Sequence, residues 1–189
     1  ALVVATDIAR YDLGSSAEFT QGAGAVALVL SEDPRLLAVN PATGVYARNV
    51  YDFWRPLDRR EALVDGKFSI DCYLDALDGA LQDFRANGGT NADLVRTSAA
   101  LLYHSPFPKM TLKAHQRLLR HEAARRGFEP EDLDASYSRL VEPSMGGARR
   151  IGNTYTASLY VCLAWLLEHH AAALAGESVG LFSYGSGCC

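Results

Sequence analysis

The chain is poor in several residue types. It holds four cysteines, two methionines and two tryptophans in 189 residues. Four cysteines are too few for a disulfide-built scaffold, and a reducing, cytoplasmic setting fits them. Cys72 and Cys162 fall in stretches of helical pattern. Cys188 and Cys189 are adjacent, which suits neither a mutual bridge nor a zinc site, and no histidine pair has a metal spacing. Positive charge is not in excess: 18 Lys and Arg stand against 22 Asp and Glu, a net charge of -4. That argues against a whole-protein grip on nucleic acid and leaves only local basic work. Apolar runs are short. The longest, residues 159–167, stops at Glu168, His169 and His170, below the roughly 18–20 residues that cross a bilayer, so no membrane partner is expected. The first residues carry no basic leader and no small-residue cleavage site, so they are not read as a signal peptide. They begin in an apolar run without methionine, as an interior start would.

What is present is globular composition, with 49% hydrophobic and 21% charged residues. Residues 2–5, 24–30 and 36–39 read as buried strands, being continuous, apolar and bounded by polar residues. Residues 40–67 are irregular. Residues 69–87 predict a helix: Ile70, Tyr73, Leu74, Leu77, Leu81 and Phe84 recur at spacings of three and four, Ser69 can cap it and Gly88-Gly89 stop it. A strand is expected over 97–103, a basic helix over 109–126 and a shorter helix over 130–140 with Pro130 in its first turn. Residues 153–170 predict a helix apolar nearly all round, hence central and buried, and 179–184 a last strand. Buried strands mixed with helices indicate an α/β fold in layers.

His104 is the best-placed candidate for chemistry. It stands where an apolar strand runs into a proline-rich loop, and sites in open α/β sheets collect at the carboxyl ends of strands. An imidazole there can move protons or donate to a developing oxyanion. On the basic helix, Lys109, Lys113 and Arg117 are four apart and share a face that could hold phosphates. A solvated surface is the plainer reading of that face. Residues 22–27 match a dinucleotide fingerprint in spacing but open a strand instead of following one, so the match is rejected. Their glycines fit close backbone approach or a bulge. Asn153 stands at a helix start, as an N-cap or as part of a site at the positive end of the helix. The loop after residue 182 could offer backbone amides to an oxyanion.

Seven segments in order carry a resemblance: ALVVATDIA at 1–9, TQGAGAVA at 20–27, YDFWRP at 51–56, VDGKFSIDCYL at 64–74, YHSPFPKM at 103–110, GNTYTASLY at 152–160 and FSYGSG at 182–187. Together they resemble the 3-hydroxy-3-methylglutaryl-CoA synthase family of thiolase-like condensing enzymes. The resemblance implies a partial thiolase-like α/β/α fold, with residues 1–50 ending the N-terminal half and 51–189 forming most of the C-terminal half. It implies an enzyme that loads acetyl onto a cysteine and adds the derived enolate to the ketone carbon of acetoacetyl-CoA. No cofactor is needed beyond the thioester substrates. His104 matches the histidine that polarises the acetoacetyl group. Thr20, Asp52, Phe53, Ser69, Asn153 and Ser186 match substrate-contact positions, Lys109 and Lys113 the lysines that face CoA, and Asp7 an acidic residue that supports the site. A homodimer is expected.

The family's nucleophilic cysteine and general-base glutamate have no match here, so the chain resembles the middle-to-late part of a longer enzyme, inactive by itself. Two further readings stand beside the CoA-dependent enzyme of the mevalonate pathway. One is a relative from polyketide β-branching, whose acceptor is borne by an acyl carrier protein. The other is a non-catalytic thioester-binding relative.

Overall fold

The computed structural model describes residues 1–89 and 92–187; Cys188 and Cys189 lie outside the described residues. At its centre two short strands pair in parallel: β5 (Ala100–Tyr103) and β6 (Val179–Phe182), in the register Ala100↔Val179 to Tyr103↔Phe182. Every residue of β5 is buried. A parallel pair needs a long crossover. Here it consists of α3 (Pro108–Arg126), α4 (Leu133–Leu140), α5 (Gly146–Ile151) and α6 (Ala157–Leu174). With α1 (Gly66–Ala86), these helices close a core around β5, including Tyr73, Leu77, Leu102, Met110, Leu118 and Leu166. The expected α/β architecture is present.

Helix ends follow local chemistry more than pattern. α1 starts earlier than expected. The Asp65 side chain accepts from the Phe68 amide and caps it, so Ser69 lies inside the first turn and its hydroxyl is free for another partner. α4 begins at Leu133, capped by Asp132, and Pro130 stays outside it. α6 begins at Ala157, so Asn153 is not its N-cap. A four-residue helix, α2 (Leu94–Thr97), precedes β5; neither it nor α5 has enough turns to show a period. Only part of α6 is buried: Leu159, Cys162, Leu163 and Leu166 face the core, while residues 168–173 are exposed. Its 18 residues have a mean hydropathy of 1.2, enough by length and composition alone to cross a membrane, contrary to the run-length expectation. Its buried face in the core accounts for that composition.

The N-terminal strands differ most from expectation. β1 (Leu2–Ala9) and β2 (Gly22–Val29) pair antiparallel, from Leu2↔Val29 to Ala9↔Gly22. They are not buried. Along β1 only Ala9 is buried and Ala5 half-buried, and β2 alternates half-buried with exposed. Apolar residues on both faces suit a sheet covered on both sides. Within these residues, β2 is met on the face of Gly22 and Gly24, where a Cβ on Gly22 would lie 2.6 Å from the Asn153 carbonyl oxygen. Gly22 thus serves close backbone approach, as expected, while Gly24 clears the Thr154 side chain. Residues 36–39 form no strand, and Leu36 and Val39 are each 80% exposed. A short apolar run forms a strand only where an edge can pair with it. Two small strands, β3 (Phe53–Trp54) and β4 (Leu63–Val64), pair within the irregular region.

Candidate active site

His104 extends the parallel ladder by one bond, its amide donating to the Phe182 carbonyl at 2.8 Å. Its own carbonyl accepts from the Tyr73 hydroxyl at 2.8 Å. The residue is 8% exposed, and its ring faces the Tyr73 and Tyr184 rings, with centroids 6.4 and 6.3 Å away; the two tyrosines themselves pack 4.8 Å apart. Burial pushes its pKa down from 6.5 to about 4. At neutral pH the imidazole is therefore uncharged, with one N–H to donate and one nitrogen to accept. Beside it Ser105 is 1% exposed, and its hydroxyl has no hydrogen-bond partner among the described residues.

Asp52 is wholly buried, and three donors converge on it. Oδ2 accepts from the Ser69 hydroxyl at 2.8 Å and the Tyr184 hydroxyl at 3.2 Å, and Oδ1 from the Gly187 amide at 3.0 Å. A buried carboxylate persists only when hydrogen bonds replace its water, and these three do so. Tyr184 thus touches both His104 and Asp52. The loop after β6, which carries Tyr184, therefore ties the histidine loop to residues 50–52.

A second cluster forms around Asn153, which is 3% exposed. Its amide donates to the Thr20 carbonyl at 2.9 Å, and its Nδ2 to the Tyr11 hydroxyl at 3.1 Å. Its Oδ1 accepts from the Tyr155 amide at 2.9 Å and from the Ser158 hydroxyl at 3.3 Å. Tyr155 has φ +47°, a left-handed conformation costing on the order of 1 kcal/mol for a residue with a Cβ. The Asn153 side chain bonded to its amide helps to hold it there. Burial, a hydrogen bond with Tyr11 and the charge of Asp7 push the Tyr155 phenol well above its usual pKa. Phe53 lies edge-on to Tyr11 at 6.3 Å and to Tyr155 at 5.8 Å. Asp52 and Phe53 are consecutive, so this dipeptide joins the His104 cluster to the Asn153 cluster.

The remaining expected residues are placed more loosely. Thr20 takes part through its carbonyl, while its hydroxyl donates to Ala17. Asp7 is exposed, and its carboxylate accepts from the Ile8 amide. Ser186 is exposed at the rim. Lys109 and Lys113 are exposed on the first two turns of α3 and make no ion pair among the described residues. Arg117 does not extend their face, because Asp78 holds it at 2.7 Å. Tyr11, Tyr73, Tyr155 and Tyr184 were not singled out from sequence. Their place beside Asn and Gly loops in the quoted motifs was the available signal for Tyr155 and Tyr184.

The arrangement offers a neutral imidazole, amide and hydroxyl groups and one hydrogen-bonded carboxylate around an aromatic floor. It offers no activated thiol. Cys72 and Cys162 are buried, and burial raises both thiols, Cys162 to about 11. Among the described residues no group of three or more His, Cys, Asp or Glu side chains could hold a metal ion.

Comparison with known proteins adds a family. The model described as hydroxymethylglutaryl-coenzyme A synthase C terminal matches residues 39–140 and 131–189. The hydroxymethylglutaryl-CoA synthase of Enterococcus faecalis is 41% identical over 187 residues, 98% of this chain and 46% of its own length. The mitochondrial hydroxymethylglutaryl-CoA synthase of Mus musculus is 36% identical over 227 residues, 99% of this chain and 44% of its own. Among solved structures, MvaS in complex with 3-hydroxy-3-methylglutaryl coenzyme A superposes with a TM-score of 0.88 at 49% identity, over 100% of this chain and 49% of that one. The curacin biosynthetic pathway HMG synthase in complex with acetyl donor-ACP superposes with a TM-score of 0.86 at 31% identity, over 100% of this chain and 45% of that one. The chain spans about half the length of these relatives.

Proposed function

The chain belongs to the hydroxymethylglutaryl-CoA synthase family and has its thiolase-like α/β fold, and from that premise we propose that it supplies the acceptor side of a condensing enzyme. The enzyme adds an acetyl enolate, carried as a thioester on its nucleophile, to the ketone carbon of acetoacetyl-CoA; protonation of the new alkoxide and hydrolysis of the enzyme thioester then release 3-hydroxy-3-methylglutaryl-CoA and free the nucleophile. As the carbon–carbon bond forms, the ketone π electrons move onto oxygen. His104, neutral at pH 7, donates its N–H to the acceptor's oxygen, a contact that strengthens as charge grows there. Asn153 and the Gly-Ser-Gly loop carrying Ser186 orient the acyl chain over Phe53. Asp52, through Tyr184 and Ser69, fixes the walls of that site. Asp7 and Thr20 support the Asn153 cluster, and Lys109 and Lys113 meet the CoA phosphates. The nucleophile lies outside the side chains described above.

The single observation behind this reading is the buried, neutral His104 packed against the Tyr73 and Tyr184 pair. The test is His104→Gln in the full-length enzyme, with acetyl transfer and condensation followed separately. Acetyl transfer should persist while condensation falls at least about 100-fold. Equal loss of both steps would refute the assignment.

The similarity to a synthase solved with a donor-ACP supports a second reading, in which a carrier protein bears the acceptor. We favour CoA and the mevalonate route, because identity to MvaS is 49% against 31% to the curacin synthase. Rates with CoA-bound and carrier-bound acetoacetyl groups decide between them. The same reading makes the enzyme a cytoplasmic homodimer, which sedimentation and fractionation would test.

A further inference from the structure

Residues 44–52 run antiparallel along one stripe of α1. Gly44 meets Ala80 and Phe84, the Val45 amide donates to Asp83 Oδ2 at 2.8 Å, and the Tyr46 ring covers Gly79. Further along, Arg48 reaches Asp75 at 3.5 Å, and Asp52 accepts from Ser69 at 2.8 Å. Positions 75, 79 and 83 recur at spacings of four, as one helix face requires, and Ser69 lies nearer the start of α1. The lengths also match. An extended chain from Gly44 to Asp52 covers about 27 Å, and a helix from Ser69 to Phe84 about 22 Å.

Two of these contacts leave no space. A Cβ on Gly44 would strike the Ala80 carbonyl oxygen, and one on Gly79 would strike the Tyr46 ring, both inside any permissible separation. The other fastenings are weaker. Arg48 and Asp75 are about half exposed, at 46% and 49%, and such pairs are worth little in water. A small hollow lined by Tyr46, Arg48, Cys72, Asp75 and Tyr184 separates the strap from α1 between the glycine seat and the site. The register of the strap is therefore set where backbone meets ring, about three turns of α1 beyond Ser69.

We propose that the Gly79–Tyr46 seat is a positioning element that sets where Asp52 stands against Ser69 and Tyr184, and so the geometry offered to the acceptor thioester. This rests on the functional reading above. A methyl group at residue 79 lifts Tyr46, slides the strap and carries Asp52 with it. Misplacement of a site group by about 1 Å costs catalysis heavily.

The test uses the full-length enzyme. Gly79→Ala should lower kcat/KM for acetoacetyl-CoA at least about tenfold, mainly through KM, and leave acetyl transfer from acetyl-CoA within about twofold. Adding Tyr46→Ala removes the ring that the methyl strikes and should recover most of the loss. Gly66→Ala, where a Cβ meets nothing, is the control and should change neither step. Equal loss in both steps, or no recovery in the double variant, overturns the proposal. A second readout needs no activity: the melting-temperature drops of Gly79→Ala and Asp52→Asn should combine to less than their sum. A strictly additive result also overturns the proposal. A wild-type enzyme without condensing activity would refute the functional reading alone, and the thermal cycle would then decide the positional claim.

Discussion

The Tyr184 hydroxyl donates to Asp52 Oδ2 at 3.2 Å, joining residues 132 positions apart in the chain. The same ring lies beside His104, so one tyrosine fixes a carboxylate and a neutral imidazole together. Tyr184→Phe keeps the ring and removes the donor. Ser69 and Gly187 still hold Asp52, so the stability loss should be about 1 kcal/mol. Condensation should fall about tenfold as the carboxylate loses one of its three anchors. Denaturant unfolding and a condensation assay on the same variant check both numbers.

Two histidines make stability fall in acid. Burial lowers both His104 and His115 from 6.5 to about 4, with Arg139 adding a smaller effect at His115. Between pH 6.5 and 4 the unfolded chain binds these protons and the folded chain does not, so stability rises with pH across that window. The contribution is complete above pH 6.5 and lost as pH falls towards 4. It should be on the order of 3 kcal/mol per ring at full extent. His115 also bonds to Tyr103 at 3.1 Å and Ser136 at 2.9 Å, so His115→Gln should flatten the slope as well as lower the plateau. Unfolding free energies measured from pH 4 to 8 give the answer.

Glu122 is 3% exposed and carries two arginines, Arg85 on α1 and Arg125 one turn along α3. Removing the acid leaves partly buried guanidinium groups facing each other. Glu122→Gln should therefore cost about 3–5 kcal/mol, against less than about 1.5 for the more exposed Arg125→Gln. A clear reversal of that order in thermal unfolding would refute the account.

Lys109 and Lys113 test the phosphate reading. Both are exposed on α3, so Lys109→Gln/Lys113→Gln should change stability by no more than about 0.5 kcal/mol. KM for a CoA thioester should rise about tenfold at low salt, with the gap to wild type narrowing as ionic strength increases. A salt-independent KM change would place the phosphates elsewhere.

The elements legible in the sequence were those whose pattern and partners lie close together. α1 shows its period over five turns, and α3 announces itself with Pro108 and ends at Gly127, φ +70°. β1 and β2 were legible as strands. Their exposure was not, because an apolar run states what it would bury and not what covers it. Residues 36–39 failed for the complementary reason, having strand composition and no edge to join among the described residues. In the candidate site, His104 was singled out by its place at a strand end, Asn153 by its place at a helix start and by the family's motifs, and Asp52 by those motifs alone. The tyrosines were missed because their roles depend on pairings such as Asn153 with Tyr11, 142 residues apart, which no window of sequence contains.

The parallel pairing of β5 with β6 also sets an order in time. During synthesis β5 and the helices α3 to α6 emerge first, and the His104 amide waits for the Phe182 carbonyl until the chain reaches its sixth strand. Asp52 waits likewise for Tyr184 and Gly187. Such distant pairings form late, after the loop between them has been ordered. A nascent chain halted before Val179 would hold helices α1 to α6 and still lack the groups that fix the imidazole and the carboxylate, so foldedness would precede competence on the ribosome.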